Sequence, residues 1–271
     1  MSAVLTLKRE RNVLLAVLLL LAAVAWTVLV WQGLTLSGPA NGAGAAALLT
    51  MGMGAALFMA MWVSMMAAMM FPTAAPMVLT FARVQAGRRS AGRAYVPTAF
   101  FVVAYLMVWV AGGALALGVA LGVGALADHL PWLVTNGARI SGGLLIVAGL
   151  YQLSPLKAVC LRHCRTPLAF VLDHWREGRR GSVIMGLQHG AYCVGCCWLL
   201  FALLFPLGIM NLAAMGALTV VIFLEKSTVW GHRLSLLFGV AMVVYGIAVI
   251  SAPGLLPGSP GMMGGMGGMS G

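Results

Sequence analysis

The stretch Met51–Met70, MGMGAALFMAMWVSMMAAMM, contains eight methionines and no charged residue. About 20 apolar residues in a helix span the ~30 Å hydrocarbon core of a membrane, so the stretch predicts a membrane helix. Several of its methionines recur at steps of four, which places their side chains on ridges of that helix. Thioether sulfur is a soft, uncharged ligand that favours Cu(I), although methionine also serves as flexible apolar filler between helices. The candidate copper ligands here are Met61, Met65, Met66, Met69 and Met70.

The composition of the whole chain is that of a membrane protein. Of its 271 residues, 62% are hydrophobic and 8% are charged, which leaves too few polar side chains to cover a water-soluble globule. Seven apolar runs are long enough to cross a membrane as helices. We therefore expect an all-α, polytopic transmembrane helix bundle of about seven helices. The predicted spans are residues 12–31, 48–70, 97–125, 137–153, 183–205, 207–224 and 234–251.

The basic residues are distributed asymmetrically between the predicted loops. Of the 16 Lys and Arg, three precede the first span, four follow the second, six lie between the fourth and fifth, and two between the sixth and seventh. Seven crossings place all of these on one side, and only Arg139 lies opposite. The positive-inside rule then predicts a cytoplasmic N-terminus and a C-terminus outside. The net charge of +11 thus reflects orientation in a lipid bilayer and does not indicate a nucleic-acid partner.

Three regions are expected along the chain. Residues 1–47 form an N-terminal anchor helix and an outer loop, and the anchor is expected to remain uncleaved because its apolar run exceeds that of a signal peptide. Residues 48–252 form the metal-binding helix bundle, with a cytoplasmic loop at 154–182. Residues 253–271 form a flexible Gly- and Pro-rich tail that cannot build a core. Its methionines either collect Cu(I) outside the membrane or belong to a low-complexity tail; they are Met262, Met263, Met266 and Met269.

The predicted cytoplasmic loop contains a short cluster of soft ligands. Cys160 and Cys164 are four residues apart and His163 lies between them, so a helix would point all three in similar directions. This spacing suits a clamp for a soft or borderline ion. It is not a zinc-finger pattern, since no second pair follows at the usual distance. The alternative is an amphipathic interfacial helix with reduced thiols.

A second cluster lies inside the fifth predicted span, in MGLQHGAYCVGCCW at residues 185–198. His189, Cys193, Cys196 and Cys197 occupy positions i, i+4, i+7 and i+8. At about 100° per residue, the first three lie within roughly 60° of one another, and Cys197 lies roughly 40° beyond Cys193. Ionisable side chains inside a membrane are costly and mark functional sites, whereas a thiol also packs as a small hydrophobe. The cluster predicts a metal site, with structural packing as the alternative.

The two clusters of membrane donors are expected at similar depth. The methionine helix is taken to end near Met70 at the cytoplasmic face, where the fifth span begins. At about 1.5 Å per residue, Met66 and Met61 then lie about 6 and 13 Å from that face, near the level of His189 and Cys193 at about 9 and 15 Å. If the two helices are neighbours, donors from both surround one ion. Cu(I) is the expected metal, and zinc also suits the thiol and imidazole groups.

Three further features bear on how helices end and pack. Pro72 and Pro76 are expected to end or kink the methionine helix at the membrane edge. Gly118 and Gly122 make a small-xxx-small step, which predicts a close helix contact. Glu225 and Lys226 are expected to form an interfacial ion pair. The alternative is that Glu225 orients His189.

Four separated segments resemble a known family: MWVSMMAAMMFPTAAPMV, HCRTPLAFVLDHWREG, QHGAYCVGCCW and LEKSTVWGHRL. Over residues 48–250 the chain resembles a bacterial family of predicted metal-binding integral membrane proteins, a domain without an assigned function. The resemblance implies a multi-pass protein of the bacterial inner membrane. The spacing of the methionines is also similar, locally, to that of eukaryotic copper importers. The resemblance implies metal binding through Met61, Met65, Met66, Met69, Met70, His189, Cys193, Cys196 and Cys197.

The preferred hypothesis is a non-enzymatic Cu(I)-handling membrane protein. It would take up copper or deliver it to a cuproenzyme during assembly, with a copper chaperone or that enzyme as partner. The chain has no P-loop or ATPase motif, so active pumping would need another energy source. One alternative is a thiol-redox protein that uses Cys193, Cys196 and Cys197, because the first two have C-x-x-C spacing. The other is a structural or assembly subunit without a metal site.

Overall fold

A computed structural model of the chain describes residues 2–35, 49–50, 52–209 and 211–256. Within these residues the chain forms helices and no β-strand, which confirms the predicted all-α class. The predicted tail methionines and most of the first outer loop lie outside the described residues. The helices are α1 (Ser2–Thr35), α2 (Ala55–Ser90), α3 (Ala99–His129), α4 (Pro131–Thr135), α5 (Gly137–Gln152), α6 (Pro155–Arg165), α7 (Pro167–Asp173), α8 (Gly178–Ala202), α9 (Leu204–Leu207), α10 (Leu212–Ser227) and α11 (Gly231–Ser251). A 3₁₀ turn, Pro253–Leu255, follows α11.

Among the described residues, five helices are long and apolar enough to cross a membrane, where the sequence predicted about seven. A sixth is added if α5 and α6, which are bent by 62° from each other, count as one broken span. Two of the predicted spans fold as the 16-residue helices α5 and α10. At about 1.5 Å per residue each rises only about 24 Å, less than the ~30 Å hydrocarbon core. The five helices are Lys8–Thr35, Ala55–Ser90, Ala99–His129, Gly178–Leu207 and Gly231–Ser251.

The methionine helix continues well past the point at which it was expected to end. Helix α2 runs from Ala55 to Ser90 with Pro72 and Pro76 inside it, so the prediction of a helix stop is wrong. Phe71, Ala74 and Ala75 beside the prolines are buried. Proline is tolerated within an apolar helix when packing holds the helix and neighbouring groups take up the freed backbone polar atoms. Tertiary packing therefore overrides the local signal for a break.

The chain divides into two compact units. The first comprises Met1–Thr35, Ala56–Leu115 and Val159–Cys196. Its core is an apolar cluster drawn from α1, α2, α3, α7 and α8. Phe81 of α2 stacks on Phe101 of α3 with ring centroids 4.7 Å apart. The cluster comprises Leu18, Ala22, Phe71, Ala75, Met77, Val78, Phe81, Phe101, Phe170, Val171 and Met185.

A tryptophan joins α2 to α3 in the first unit. The indole nitrogen of Trp62 donates a hydrogen bond of 3.0 Å to the carbonyl oxygen of Trp109. The indole lies over Gly113, where a Cβ would be 2.5 Å from Trp62 Cδ1. The absent side chain at Gly113 thus makes room for the ring, and the two helices lie side by side along the methionine-rich segment.

Among the described residues, the second unit comprises 49–50, 52–55, 116–158, 197–209 and 211–256. Glycines hold α5 against α11 within it. A Cβ at Gly149 would lie 2.6 Å from the carbonyl oxygen of Gly239, and one at Gly142 would lie 2.9 Å from that of Gly246. A Cβ at Gly118 or Gly122, by contrast, would meet no atom within 4 Å. The close helix contact therefore forms at glycines that the spacing argument did not select.

Glu225 makes a buried polar cluster within the second unit, with two partners that the sequence did not indicate. The Lys157 ammonium donates to Glu225 Oε2 at 2.7 Å, and the Gln152 amide donates to Glu225 Oε1 at 3.0 Å. Lys157 and Glu225 are at most 2% exposed. Glu225 is therefore paired with Lys157, 68 residues away in sequence. The expected pairing of Glu225 with Lys226, and the alternative that it orients His189, stay predictions.

Candidate metal centre

Helix α8 presents His189 and Cys193 in the interior of the first unit. Gly186 of α8 allows this helix to approach α3 closely, since a Cβ at Gly186 would lie 2.4 Å from the Phe101 carbonyl oxygen. His189 and Cys193 are four residues apart and so point in similar directions. Their exposed fractions are 2% and 1%. An imidazole and a thiol are therefore buried on one face of one helix.

Aromatic rings enclose the imidazole of His189. Its centroid lies 5.9 Å from that of Phe101 and 5.6 Å from that of Tyr105, and both rings stack on it. Phe170 of α7 meets it edge-on at 5.4 Å. Bulky rings on these sides restrict the access of water and fix the plane of the imidazole.

Three side chains from three helices meet at the thiol of Cys193. The hydroxyl oxygen of Tyr105 on α3 lies 3.2 Å from Cys193 Sγ. Cys193 Sγ in turn donates to the thioether sulfur of Met70 on α2, at 4.0 Å. Both Met70 and Tyr105 are at most 1% exposed. The structure therefore places a thioether and a thiol in direct contact in a buried setting.

The contact involves a different methionine from those that the depth estimate favoured. That estimate placed the end of the helix near Met70, but α2 continues for 20 residues beyond it, so Met70 is in mid-helix. Its sulfur also lies 3.9 Å from the Thr73 hydroxyl. The remaining predicted ligands of α2 are buried as well, and metal binding by them stays a prediction. They are Met61, Met65, Met66 and Met69.

The predicted cluster of Cys160, His163 and Cys164 contacts α8 about one helical turn beyond Cys193. Cys164 Sγ of α6 lies 4.0 Å from Cys196 Sγ. Cys160 is adjacent, since a Cβ at Gly195 would lie 2.9 Å from Cys160 Sγ. Burial, and secondarily the Cys196 thiol, raise the pKa of Cys160 above its ordinary value. All five cysteines lie in the described chain and none forms a disulfide.

His163 lies with its ring flat on Tyr192, at a centroid distance of 4.2 Å and an interplanar angle of 1°. Its Nδ1 is 2.9 Å from the Val159 carbonyl oxygen. A carbonyl oxygen only accepts, so Nδ1 is the donor in this contact. His174 has the same arrangement with the Phe170 carbonyl oxygen at 3.2 Å, and the two imidazole centroids are 6.0 Å apart.

The predicted ligands do not form one convergent cluster. Among the residues that the structure describes, no group of three or more His, Cys, Asp and Glu side chains is arranged to hold a metal ion. On α8, Cys193 contacts Met70 and Tyr105, whereas Cys196 contacts Cys164. Cys197 is buried and belongs to the second unit. Cys193 and Cys196 of α8 thus belong to two different pairs of sulfurs.

Sequence reasoning did not select Tyr105 or Phe170 as part of the site. Tyr105 lies within an apolar span, where the polar tip of the aromatic ring is the only signal that could have indicated a role. Phe170 lies in the loop between predicted spans and has no distinguishing neighbour in sequence. Their positions beside His189 and Cys193 follow from the packing of α3 and α7 on α8.

The fold and the site define an all-α protein that buries thioether, thiol and imidazole donors in its helical core. A family model described as PpoB2, copper chaperone, matches residues 59–249, more than two thirds of the chain. The chain therefore belongs to the PpoB2 copper chaperone family. The matched region contains both sulfur pairs, and it agrees with the expected connection to copper.

No curated protein matches the chain, and no solved structure matches it.

Proposed function

We propose that the chain is a membrane-embedded Cu(I) chaperone that holds the ion between Met70 of α2 and Cys193 of α8. The observation that carries this proposal is the buried 4.0 Å contact between the two sulfurs. Membership of a copper chaperone family supports the choice of metal.

The separation of the sulfurs suits a shared ion. With metal–sulfur bonds of about 2.3 Å, two sulfurs 4.0 Å apart subtend an angle of about 120° at the metal. That angle leaves a third position in the same plane. His189 lies one turn earlier on α8 and is the candidate ligand for that position.

The chemistry of the donors favours Cu(I) over zinc. A thioether is a soft ligand that selects monovalent copper, whereas structural zinc sites use four thiolate or imidazole ligands. A Cys thiolate and a neutral Met sulfur also give a neutral complex with Cu(I). A neutral complex costs little to bury, because burial penalises net charge.

The apolar helices support a membrane location. Five helices have the length and composition of membrane spans, and each of α2 and α8 lies within one of them. We place the protein in the bacterial inner membrane, with the lipid bilayer as its surroundings. Copper is cargo, and the acceptor is a copper-requiring enzyme or a second copper carrier. The protein performs no chemical conversion.

Loss of copper from defined variants tests the proposal. Detergent-purified protein from cells grown with added copper or zinc is analysed for bound metal, and Cu(I) affinity is measured by competition with a chromogenic Cu(I) chelator. Met70→Leu and Cys193→Ala are each expected to weaken Cu(I) binding at this site by at least about tenfold, which corresponds to about 1.4 kcal/mol. Met77→Leu is the matched control, since Met77 is equally buried on α2 but belongs to the apolar cluster.

Three results would each contradict the proposal. Equal copper in the wild type and in both site variants would remove the Met70–Cys193 site. Bound zinc in place of copper would remove the metal assignment. A protein without metal whose His189→Ala and Cys193→Ala variants support copper-enzyme assembly normally would instead be a structural subunit.

A further inference from the structure

We propose that Cys164 and Cys196 form a second Cu(I) site, through which copper passes between the buried Met70–Cys193 site and a partner protein. The two thiols come from different helices and are 32 residues apart in sequence. The transfer role rests on the proposed function, whereas binding of Cu(I) by the two thiols stands by itself.

The geometry of the pair fits one bound ion. Cys164 Sγ and Cys196 Sγ are 4.0 Å apart, which with metal–sulfur bonds of about 2.3 Å again gives an angle of about 120° at the metal. Each thiol loses its proton when it binds, and copper remains monovalent, so no electron is transferred. Thiolates are the softest side-chain ligands and select Cu(I).

We assign the third position of this site to a partner. Cys196 is buried, but Cys164 is only half-buried, near the end of α6. Cys160 lies beside the pair, yet the described residues contain no three thiols that converge on one point. Two ligands and an open third position allow a thiol or thioether of another protein to bind the same ion before the first ligands release it.

The position of Cys196 connects the two sites. Cys196 lies three residues after Cys193 on α8, and its thiol donates to the Cys193 carbonyl oxygen at 3.2 Å. One turn of helix rises about 5.4 Å, so Cys193 and Cys196 are about one turn apart along α8. Met70 and Cys193 are both buried, whereas Cys164 is half-buried, which supports the dithiol site as the route to the surface.

The charge beside the pair suits a copper dithiolate. Two thiolates and one Cu(I) carry a net charge of −1. Arg162 and Arg165 flank Cys164 on the last turn of α6, which contains no acidic residue. Nearby cations stabilise thiolates and therefore favour the deprotonated, metal-bound form.

Binding is tested on the full chain in detergent, without oxygen, with Cu(I) as the probe. Three proteins are compared with the wild type: Cys164→Ser/Cys196→Ser, Met70→Leu/Cys193→Ser, and Val159→Ser as an exposed control on α6. Each double variant is expected to lose one equivalent of tightly bound Cu(I), and the control none. In Met70→Leu/Cys193→Ser, Cu(I) is expected to protect Cys164 from alkylation by N-ethylmaleimide, as read by peptide mass spectrometry.

Transfer is tested with glutathione as the acceptor thiol. Copper is expected to leave the wild type about tenfold faster than Cys164→Ser/Cys196→Ser, which retains only the buried ion. Met70→Leu/Cys193→Ser is expected to release its one ion at the fast rate seen with the wild type. Thermal unfolding of each protein in the same detergent shows whether the variants are folded.

The outcomes separate the second site from the first. Alkylation of Cys164 that Cu(I) does not change would overturn the dithiol site, whatever the behaviour of Met70→Leu/Cys193→Ser. Release at the wild-type rate from the dithiol variant would overturn the transfer route. A Cys164–Cys196 disulfide in the purified protein, with no copper bound there, would overturn the proposal in favour of thiol redox chemistry. Retention of both equivalents by Met70→Leu/Cys193→Ser would remove the buried site and leave the dithiol site standing.

Discussion

The hydroxyl of Tyr105 is the polar group of α3 that reaches the Cys193 sulfur, at 3.2 Å. Donation from this hydroxyl to a metal-bound thiolate stabilises the charged form by an amount typical of a hydrogen bond to an ion, about 1.5–3 kcal/mol. Tyr105→Phe is therefore expected to weaken Cu(I) binding at the buried site by about tenfold or more, while the ring still stacks on His189. Chelator competition measures the change.

Tyr245→Phe is the control for this prediction. Its hydroxyl donates to the Leu255 carbonyl oxygen within the second unit and has no part in the buried site. Unchanged Cu(I) affinity in Tyr105→Phe would show that the hydroxyl does not support the thiolate.

Gly186 permits the close contact of α8 with α3 beside His189. A Cβ there would lie 2.4 Å from the Phe101 carbonyl oxygen, which is backbone and cannot rotate away. Gly186→Ala is expected to destabilise the protein by about 1–3 kcal/mol, as overpacking of a core does. Thermal unfolding in detergent measures the effect. Gly118→Ala, where a Cβ meets no atom within 4 Å, is expected to be neutral or slightly stabilising. Equal melting temperatures for the two variants would contradict the prediction.

At the scale of elements, Glu225 of α10 joins the end of α5 to the beginning of α6. Its two oxygens accept hydrogen bonds from Gln152 and Lys157, on either side of the 62° bend. Removing one member of a buried ion pair leaves the other charge without compensation, which typically costs about 3–5 kcal/mol. Lys157→Met and Glu225→Leu are each expected to lower the melting temperature strongly, and the double variant to regain part of the loss.

The exposed pair of Arg88 and Glu177 provides the comparison for this prediction. Glu177 has 73% of its side chain exposed, and such surface pairs contribute about 0–1 kcal/mol. Glu177→Gln is therefore expected to leave the melting temperature nearly unchanged. A Lys157→Met variant as stable as Glu177→Gln would show that the buried pair does not hold the bend.

For the whole molecule, the distribution of charge and the lengths of the helices give different numbers of crossings. The positive-inside rule places the basic residues near Arg179 and those near Arg233 on the same side of the membrane as the N-terminus. Both groups lie on that side only if the short helices α5 and α10 also cross the membrane. We expect this arrangement, because a short helix is accommodated by local thinning of the bilayer at modest cost. The number of crossings is measured with alkaline phosphatase, which is active only outside the cytoplasm. The enzyme is fused to the chain after Gly208, Val229 or Ser251.

Seven crossings predict active fusions after Gly208 and Ser251 and an inactive one after Val229. With five crossings, the fusion after Gly208 is expected to be inactive and the other two unchanged. With six crossings, the fusion after Val229 is expected to be active and the one after Ser251 inactive. A fusion after Gly92, which all three arrangements place in the cytoplasm, is the inactive control. Either of the other two patterns would show that helix length outweighs charge in this chain.

Long, strongly apolar elements were the most predictable part of this protein. The all-α class follows from composition, because a chain with so few polar residues must satisfy its backbone within helices. The common face of His189 and Cys193 follows from the helical period alone. Helix ends were less predictable, since α2 continues through Pro72 and Pro76 where a local rule predicts a stop. The buried residues beside the prolines stabilise the helix, and the local rule does not include them.

The sequence by itself determined which donors are present and how they are spaced along each helix. Only the tertiary structure decided which donors meet: Met70 with Cys193, Cys164 with Cys196, and Lys157 with Glu225. The physical reason is that spacing along a helix depends on backbone hydrogen bonds between near neighbours in sequence. Contacts between helices depend instead on which surfaces pack together across tens of residues, and those surfaces are selected by small residues such as Gly186 that have no local signature of their own.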